Sequence, residues 1–104
     1  MDATSPSKAN MRRPSYWGPT FWKTYDIICE TYPTAPTSEE KHAAKRFFYS
    51  QRYLLPCKTC RKNYVSIIEQ YPPRVESRKA LRSWMRMLKE QVNKHKQLAA
   101  AQKR

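Results

Sequence analysis

Cys57 and Cys60 stand three residues apart in the run Leu55-Pro56-Cys57-Lys58-Thr59-Cys60-Arg61-Lys62. At a helix start that spacing puts two sulfurs on one face, within reach of an S–S bond. The helix N-terminus adds about half a positive charge, and Lys58, Arg61 and Lys62 add whole ones. These surroundings stabilise thiolate over thiol, so one cysteine is expected to be unusually acidic and nucleophilic. The chemistry they support is dithiol–disulfide exchange. Zinc would need four ligands, and only Cys29, His42 and His95 remain to complete the pair, from scattered positions, so no metal site is expected. Two inert structural cysteines would leave the flanking cations without a purpose. Cys29 falls one turn before the end of an amphipathic helix and reads as a packing residue, with a link to a partner subunit as the lesser alternative.

The elements that position the pair read as helices. Phe21, Trp22, Tyr25, Ile28, Cys29 and Tyr32 form one stripe that Pro33 ends. Thr37 with Glu40 is a capping-box signature opening a second helix, with Ala44, Phe47, Phe48 and Leu54 inward. Pro56 suits the first turn of a third helix, whose inner face carries Cys57, Cys60, Tyr64, Ile67, Ile68 and Tyr71. Ser77 is a candidate N-cap for a fourth, with Leu81, Trp84, Leu88 and Val92 on its stripe. Four helices of about 12–16 residues with short joints predict an all-α four-helix bundle, with room for a short fifth helix. Residues 1–15 read as a disordered tail, 16–96 as the helical domain, and 97–104 as a basic extension, helical or disordered.

Length and charge bound what such a bundle can be. The 104 residues allow one small domain, and a single glycine argues against turn-rich β architecture. No apolar run approaches the ~20 residues of a membrane helix, and Met1 to Pro14 lacks the apolar stretch of a secretory signal. The formal net charge is +13. Trp17 to Glu40 has one basic residue against four acidic, while Arg74 to Arg104 has ten against two, so the excess lies on the last helix. So small and repulsive a domain needs more than its apolar core, and a bound cofactor or a dimer contact would supply it.

A CxxC preceded by a strand would suggest a thioredoxin-like fold, but no strand pattern precedes this one. What accompanies it is a set of aromatic residues (Trp17, Trp22, Tyr25, Tyr32 and Trp84). Each taken singly is an ordinary core residue; beside a dithiol they could together line a slot for a planar ring.

In order and spacing, Trp17-Gly18, Trp22, Tyr32-Pro33, Leu55-Pro56-Cys57…Cys60-Arg61, Tyr71-Pro72-Pro73…Ser77-Arg78…Leu81…Trp84…Leu88 and Val92-Asn93-Lys94 resemble the Erv/ALR sulfhydryl oxidases. Asn63-Tyr64 after the motif is similar to the small members encoded by large DNA viruses. The resemblance covers Trp17 to about His95. It implies a bundle holding FAD beside the CxxC, usually as a homodimer. Cys57 would exchange with a substrate dithiol and Cys60 would face the flavin, with electrons passing to oxygen to give hydrogen peroxide. Trp17, Trp22, Tyr32 and Trp84 match aromatic positions at the cofactor, and Gly18 allows close backbone approach. Leu88, Val92, Asn93 and Lys94 match the part of the last helix that meets adenosine and phosphates. Asp26 stands where the family usually has His, Lys89-Glu90 where it has His-Asn, and His95 where it has Arg. A carboxylate at 26 is expected to repel a diphosphate, whereas Lys89 offers it a positive charge.

The chain has no shuttle cysteines in residues 1–15, so the resemblance implies a separate dithiol protein as substrate, itself a candidate CxxC protein. A virus-encoded member would act in host cytoplasm or virion, a cellular one in the mitochondrial intermembrane space. The competing reading is a cofactor-free bundle serving as an interaction or nucleic-acid-binding module, motivated by the basic last helix.

Overall fold

The computed structural model describes residues 6–102. Five helices follow in order: α1 (Lys8–Met11), α2 (Pro14–Thr31), α3 (Ser38–Leu54), α4 (Lys58–Gln70) and α5 (Arg78–Gln102). Among the described residues there is no strand, and no helix is long and apolar enough to cross a membrane.

The helix ends follow local chemistry. Pro14 is the first residue of α2, where its missing N–H goes unmissed. Tyr32 and Leu55 each precede a proline and are extended, which ends α2 and α3. The capping box at α3 is present as the sequence predicts: the Thr37 N–H donates to Glu40 at 2.8 Å, and the Glu40 N–H to Thr37 Oγ1 at 3.1 Å. The Ser77 hydroxyl likewise accepts the Ala80 N–H at 3.0 Å to open α5.

α2 packs on α5 and α3 on α4, and α4 also meets α5. Trp84, Phe48, Ile68, Leu81, Leu88 and Cys29 are fully enclosed where these surfaces meet. Aromatic rings cross the core edge to face: Tyr25 to Phe48 at 5.6 Å, and Phe48 to Trp84 at 5.0 Å. Polar groups inside are paired. Tyr64 donates to the Phe48 carbonyl at 2.6 Å, Tyr32 to the Val75 carbonyl at 2.7 Å, and Tyr25 to buried Gln51. Cys29 is a buried free thiol packed in this core.

Four details differ from the sequence reading. Order begins before Tyr16: Ser7 caps α1 and α2 opens at Pro14, so the part of the supposed tail from Ser7 to Ser15 is structured. Residues 1–5 of that tail lie outside the described residues. Pro56 precedes α4 instead of entering its first turn, and Cys57 takes the N-cap. Leu54 is 65% exposed while Leu55 is buried, because the extended Leu55 reverses which side chain turns inward. Finally, α5 continues past His95 to Gln102, although its apolar stripe fades there; residues 103–104 lie outside the described residues.

Candidate active site

The site begins at the N-terminus of α4. The Cys60 N–H, one of the donors a helix start leaves unpaired, donates to Cys57 Sγ at 3.2 Å. Both cysteines are free thiols. Cys60 packs against the hydrophobic core, whereas Cys57 lies outside that cluster. Both open onto a cleft of about 320 Å³, walled by the first half of α2, the first turns of α4 and the second half of α5. That volume is at the lower end of the 300–1,000 Å³ usual for ligand sites, roughly the size for a ring system.

Of the predicted residues, Trp17, Gly18, Trp22, Leu88, Val92 and His95 line the cleft together with Cys57 and Cys60. The short α1 has a role here: the Trp17 indole N–H donates to the Arg12 carbonyl at 2.9 Å, which fixes that ring at the mouth. Gly18 precedes Pro19 inside α2, where a Cβ crowds the proline ring. A Cβ at Gly18 would meet no other atom within 4 Å, so the wall is bare on the cleft side as well.

Asn93 and Lys89 line a continuing groove with Trp22, Val92 and Lys96, and Asp26 and Lys89 line a third, polar one beside Cys29. Lys94 is exposed and borders none of these spaces. Tyr32 and Trp84 are also elsewhere. Trp84 is 2% exposed with its indole N–H on the Tyr71 carbonyl at 2.9 Å, and Tyr32 is buried against Val75. Both are core residues with satisfied polar ends.

Two electrostatic expectations change. Asp26 is not a bare carboxylate: Lys89 Nζ lies 2.7 and 2.8 Å from its oxygens and 5.9 Å from the Trp22 ring centre. The pair cancels most of the repulsion a diphosphate would meet. The cations after Cys57 are not among the groups that act on the Cys60 thiol either. Arg61 donates to the Leu55 carbonyl, and Lys58 and Lys62 are exposed. Burial instead pushes the Cys60 thiol up to about 12, reinforced by its neighbour Cys57 and opposed by Lys96. Burial does the same to Cys29, also to about 12. Among the described residues, no three His, Cys, Asp or Glu side chains gather to hold a metal.

These shifts set a pH dependence. In unfolded chain thiols ionise near 9.0, whereas the folded protein keeps both protons toward 12. Between those limits the native state binds more protons, so stability must fall as pH rises. The melting temperature of the reduced protein is expected to drop across this window, and Cys29→Ala should flatten the slope. A level profile would mean that the thiols are not desolvated.

Sequence reading missed Phe21, Thr59, Asn63, Lys96 and Ala99 in the cleft wall. The signal was helical arithmetic. Lys96 and Ala99 continue the Leu88, Val92, His95 stripe by one turn each, and Asn63 lies one turn beyond Thr59.

A CxxC pair at a helix start thus shares one bundle cleft, of ring-system size, with two tryptophans. Comparison with known proteins places this arrangement in a family. The Erv1 / Alr family model matches residues 19–103, and the chain belongs to this family. It is 41% identical over 59 residues to the probable FAD-linked sulfhydryl oxidase of Acanthamoeba polyphaga mimivirus, covering 57% of this chain and 41% of that protein. With the mitochondrial FAD-linked sulfhydryl oxidase of Saccharomyces cerevisiae it shares 32% over 77 residues, 74% of this chain and 41% of the relative. The crystal structure of the yeast Erv1 core superposes with a TM-score of 0.81 at 27% identity, covering 93% of this chain and 78% of that one. The chain thus spans about two fifths of the length of these two curated relatives.

Proposed function

We propose that the protein is an FAD-linked thiol oxidase that forms disulfides in protein substrates. The observation that carries this reading is that Cys57 and Cys60 share one cleft with Trp17 and Trp22 in a chain of this family. The residues present fit FAD. The cleft offers flat aromatic and aliphatic walls and a bare glycine, and the adjoining groove offers Asn93 and Lys96 to a phosphate chain. FAD held there would supply a two-electron acceptor for the Cys57–Cys60 dithiol, with oxygen as the final acceptor and hydrogen peroxide as the product.

The chain's own residues perform the exchange. A substrate thiolate attacks Cys57 Sγ of the oxidised pair, and the Cys57–Cys60 bond breaks with its electron pair going to Cys60. The second substrate thiolate then attacks the sulfur joined to Cys57, forming the substrate disulfide and freeing Cys57. One dithiol has become a disulfide, one disulfide a dithiol, and the two electrons now reside on Cys57 and Cys60. Cys57 suits the exposed role because it precedes the helix, outside the core cluster. Cys60 takes up a proton at neutral pH because burial disfavours its thiolate. That proton has to leave before the electrons move on, and Lys96 is the cation whose charge favours its departure. Homodimerisation, implied by the family resemblance, belongs to the same proposal.

The test is a visible spectrum of protein incubated with FAD and desalted, followed by oxygen uptake with dithiothreitol. A retained flavin band and thiol-dependent uptake are expected. Colourless protein that stays inactive would end the oxidase reading and leave a basic bundle that binds other chains or nucleic acid.

A further inference from the structure

The C-terminal end of α3 presents two large apolar side chains that the fold leaves uncovered. Tyr53 is 72% and Leu54 65% exposed. Tyr53 is held in place: the Arg52 guanidinium stacks on the rings of Tyr49 and Tyr53 at 5.0 and 5.1 Å, and its Nε donates to the Tyr49 carbonyl at 2.8 Å. Leu55 turns into the core, so the backbone is anchored immediately beyond the pair. Cys57 follows Leu54 by three residues, at most ~11 Å of chain. An ordered apolar ledge therefore adjoins the reactive sulfur.

Its surroundings are of one sign. From Lys41 to Lys62 the chain has seven Lys and Arg and no Asp or Glu. Lys45, Arg46, Lys58 and Lys62 are exposed, and the ion pairs among the described residues all lie elsewhere. A field of this kind attracts an acidic partner and speeds its encounter, while the apolar centre retains it.

We propose that Tyr53 and Leu54 are the docking ledge for the dithiol substrate, and that the occupant is an acidic protein segment presenting an apolar side chain beside its reduced cysteines. This rests on the thiol-oxidase reading and specifies the class of its substrate. An aliphatic side chain at the centre fits a protein surface better than a track of stacked bases, which calls for successive aromatics.

The test uses the full chain loaded with FAD and two synthetic peptides. Both carry a Cys-x-x-Cys dithiol next to a leucine; glutamates flank it in one and lysines in the other. The acidic peptide is expected to show a kcat/KM about tenfold above the basic one at low salt, an advantage that shrinks as salt rises. Tyr53→Ser with Leu54→Ser should lose about tenfold on the acidic peptide and leave dithiothreitol turnover unchanged. Charge reversal at Lys58 and Lys62 should erase the peptide preference, which guards against a folding artefact in the ledge variant. Equal rates on the two peptides overturn the proposal, as does an unaltered kcat/KM in the ledge variant. So does conversion of a wild-type dimer to monomer by that variant, which would make the ledge a self-association face. An oligonucleotide that displaces the acidic peptide only when the ledge is intact would assign the face to nucleic acid. Loss of dithiothreitol turnover in the wild-type protein would instead remove the oxidase reading on which the proposal rests.

Discussion

Serine in place of Cys60 is expected to lower thiol-dependent oxygen uptake by about 10³-fold or more while leaving the helical content unchanged. Serine is smaller, lies in the first turn of α4, and keeps the backbone N–H that Cys57 accepts. Nothing the fold depends on is removed, but the exchange has lost the sulfur that must take the electron pair. Such a variant should also hold substrate as a mixed disulfide on Cys57, visible as a mass increase that dithiothreitol reverses. Cys57→Ser should be equally inactive without trapping substrate. It should also be slightly more stable, because serine is a favoured N-cap, with polar caps contributing about 0.5–2 kcal/mol over apolar ones. Turnover persisting in Cys60→Ser would show that electrons leave through another group.

The fold was legible wherever a local rule and the hydrophobic period agreed. Thr37 and Glu40 marked one helix start and Ser77 another, and Pro33 marked a helix end, because caps and prolines act on the residues beside them, whereas Pro56, expected inside the first turn of the third helix, precedes it. The site was legible in part for the same reason. Cys57, Cys60, Trp17, Gly18, Trp22, Leu88, Val92 and His95 share the cleft because short helical spacings put them on inward stripes. The failures were of two kinds. Lys58, Arg61 and Lys62 are close to the cysteines in sequence, yet Arg61 is engaged by the Leu55 carbonyl and Lys58 and Lys62 face solvent, so proximity along the chain overstated their charge on Cys60. Tyr32 and Trp84 have the residue types of a ring-binding wall, but only tertiary packing decides which aromatic meets the cleft and which closes the core behind it.

The Asp26–Lys89 pair belongs with the second kind. Taken singly, one residue repels an anion and the other attracts it, and nothing in the sequence joins positions 63 apart. Packing of α2 on α5 does so. Both side chains stay nearly half exposed, at 43% and 46% for Lys89 and Asp26, so the attraction is screened and its contribution to stability is small. Its effect is on the groove: the pair presents little net charge, and Lys96 and the N–H donors of Asn93 are left to meet an anion.

Trp84→Ala is expected to cost the protein about 3–5 kcal/mol before any ligand is considered. The side chain is 2% exposed, its ring lies 5.0 Å from that of Phe48, and its N–H satisfies the Tyr71 carbonyl at 2.9 Å. Alanine leaves a cavity where the helix surfaces converge and strands that carbonyl, and the two costs add. For a domain of this size a loss of that order lowers the melting temperature by roughly 15 °C or more. Trp22→Ala provides the contrast. Trp22 is half-buried and lines the cleft, so its loss should cost the FAD-free protein less and remove more of the stabilisation that added FAD confers. Melting both variants with and without FAD separates the roles: a core tryptophan lowers both temperatures together, whereas a wall tryptophan closes the gap between them. If Trp84→Ala melted at the wild-type temperature without FAD and lost only the response to it, Trp84 would be part of the ring site and the core would lie elsewhere.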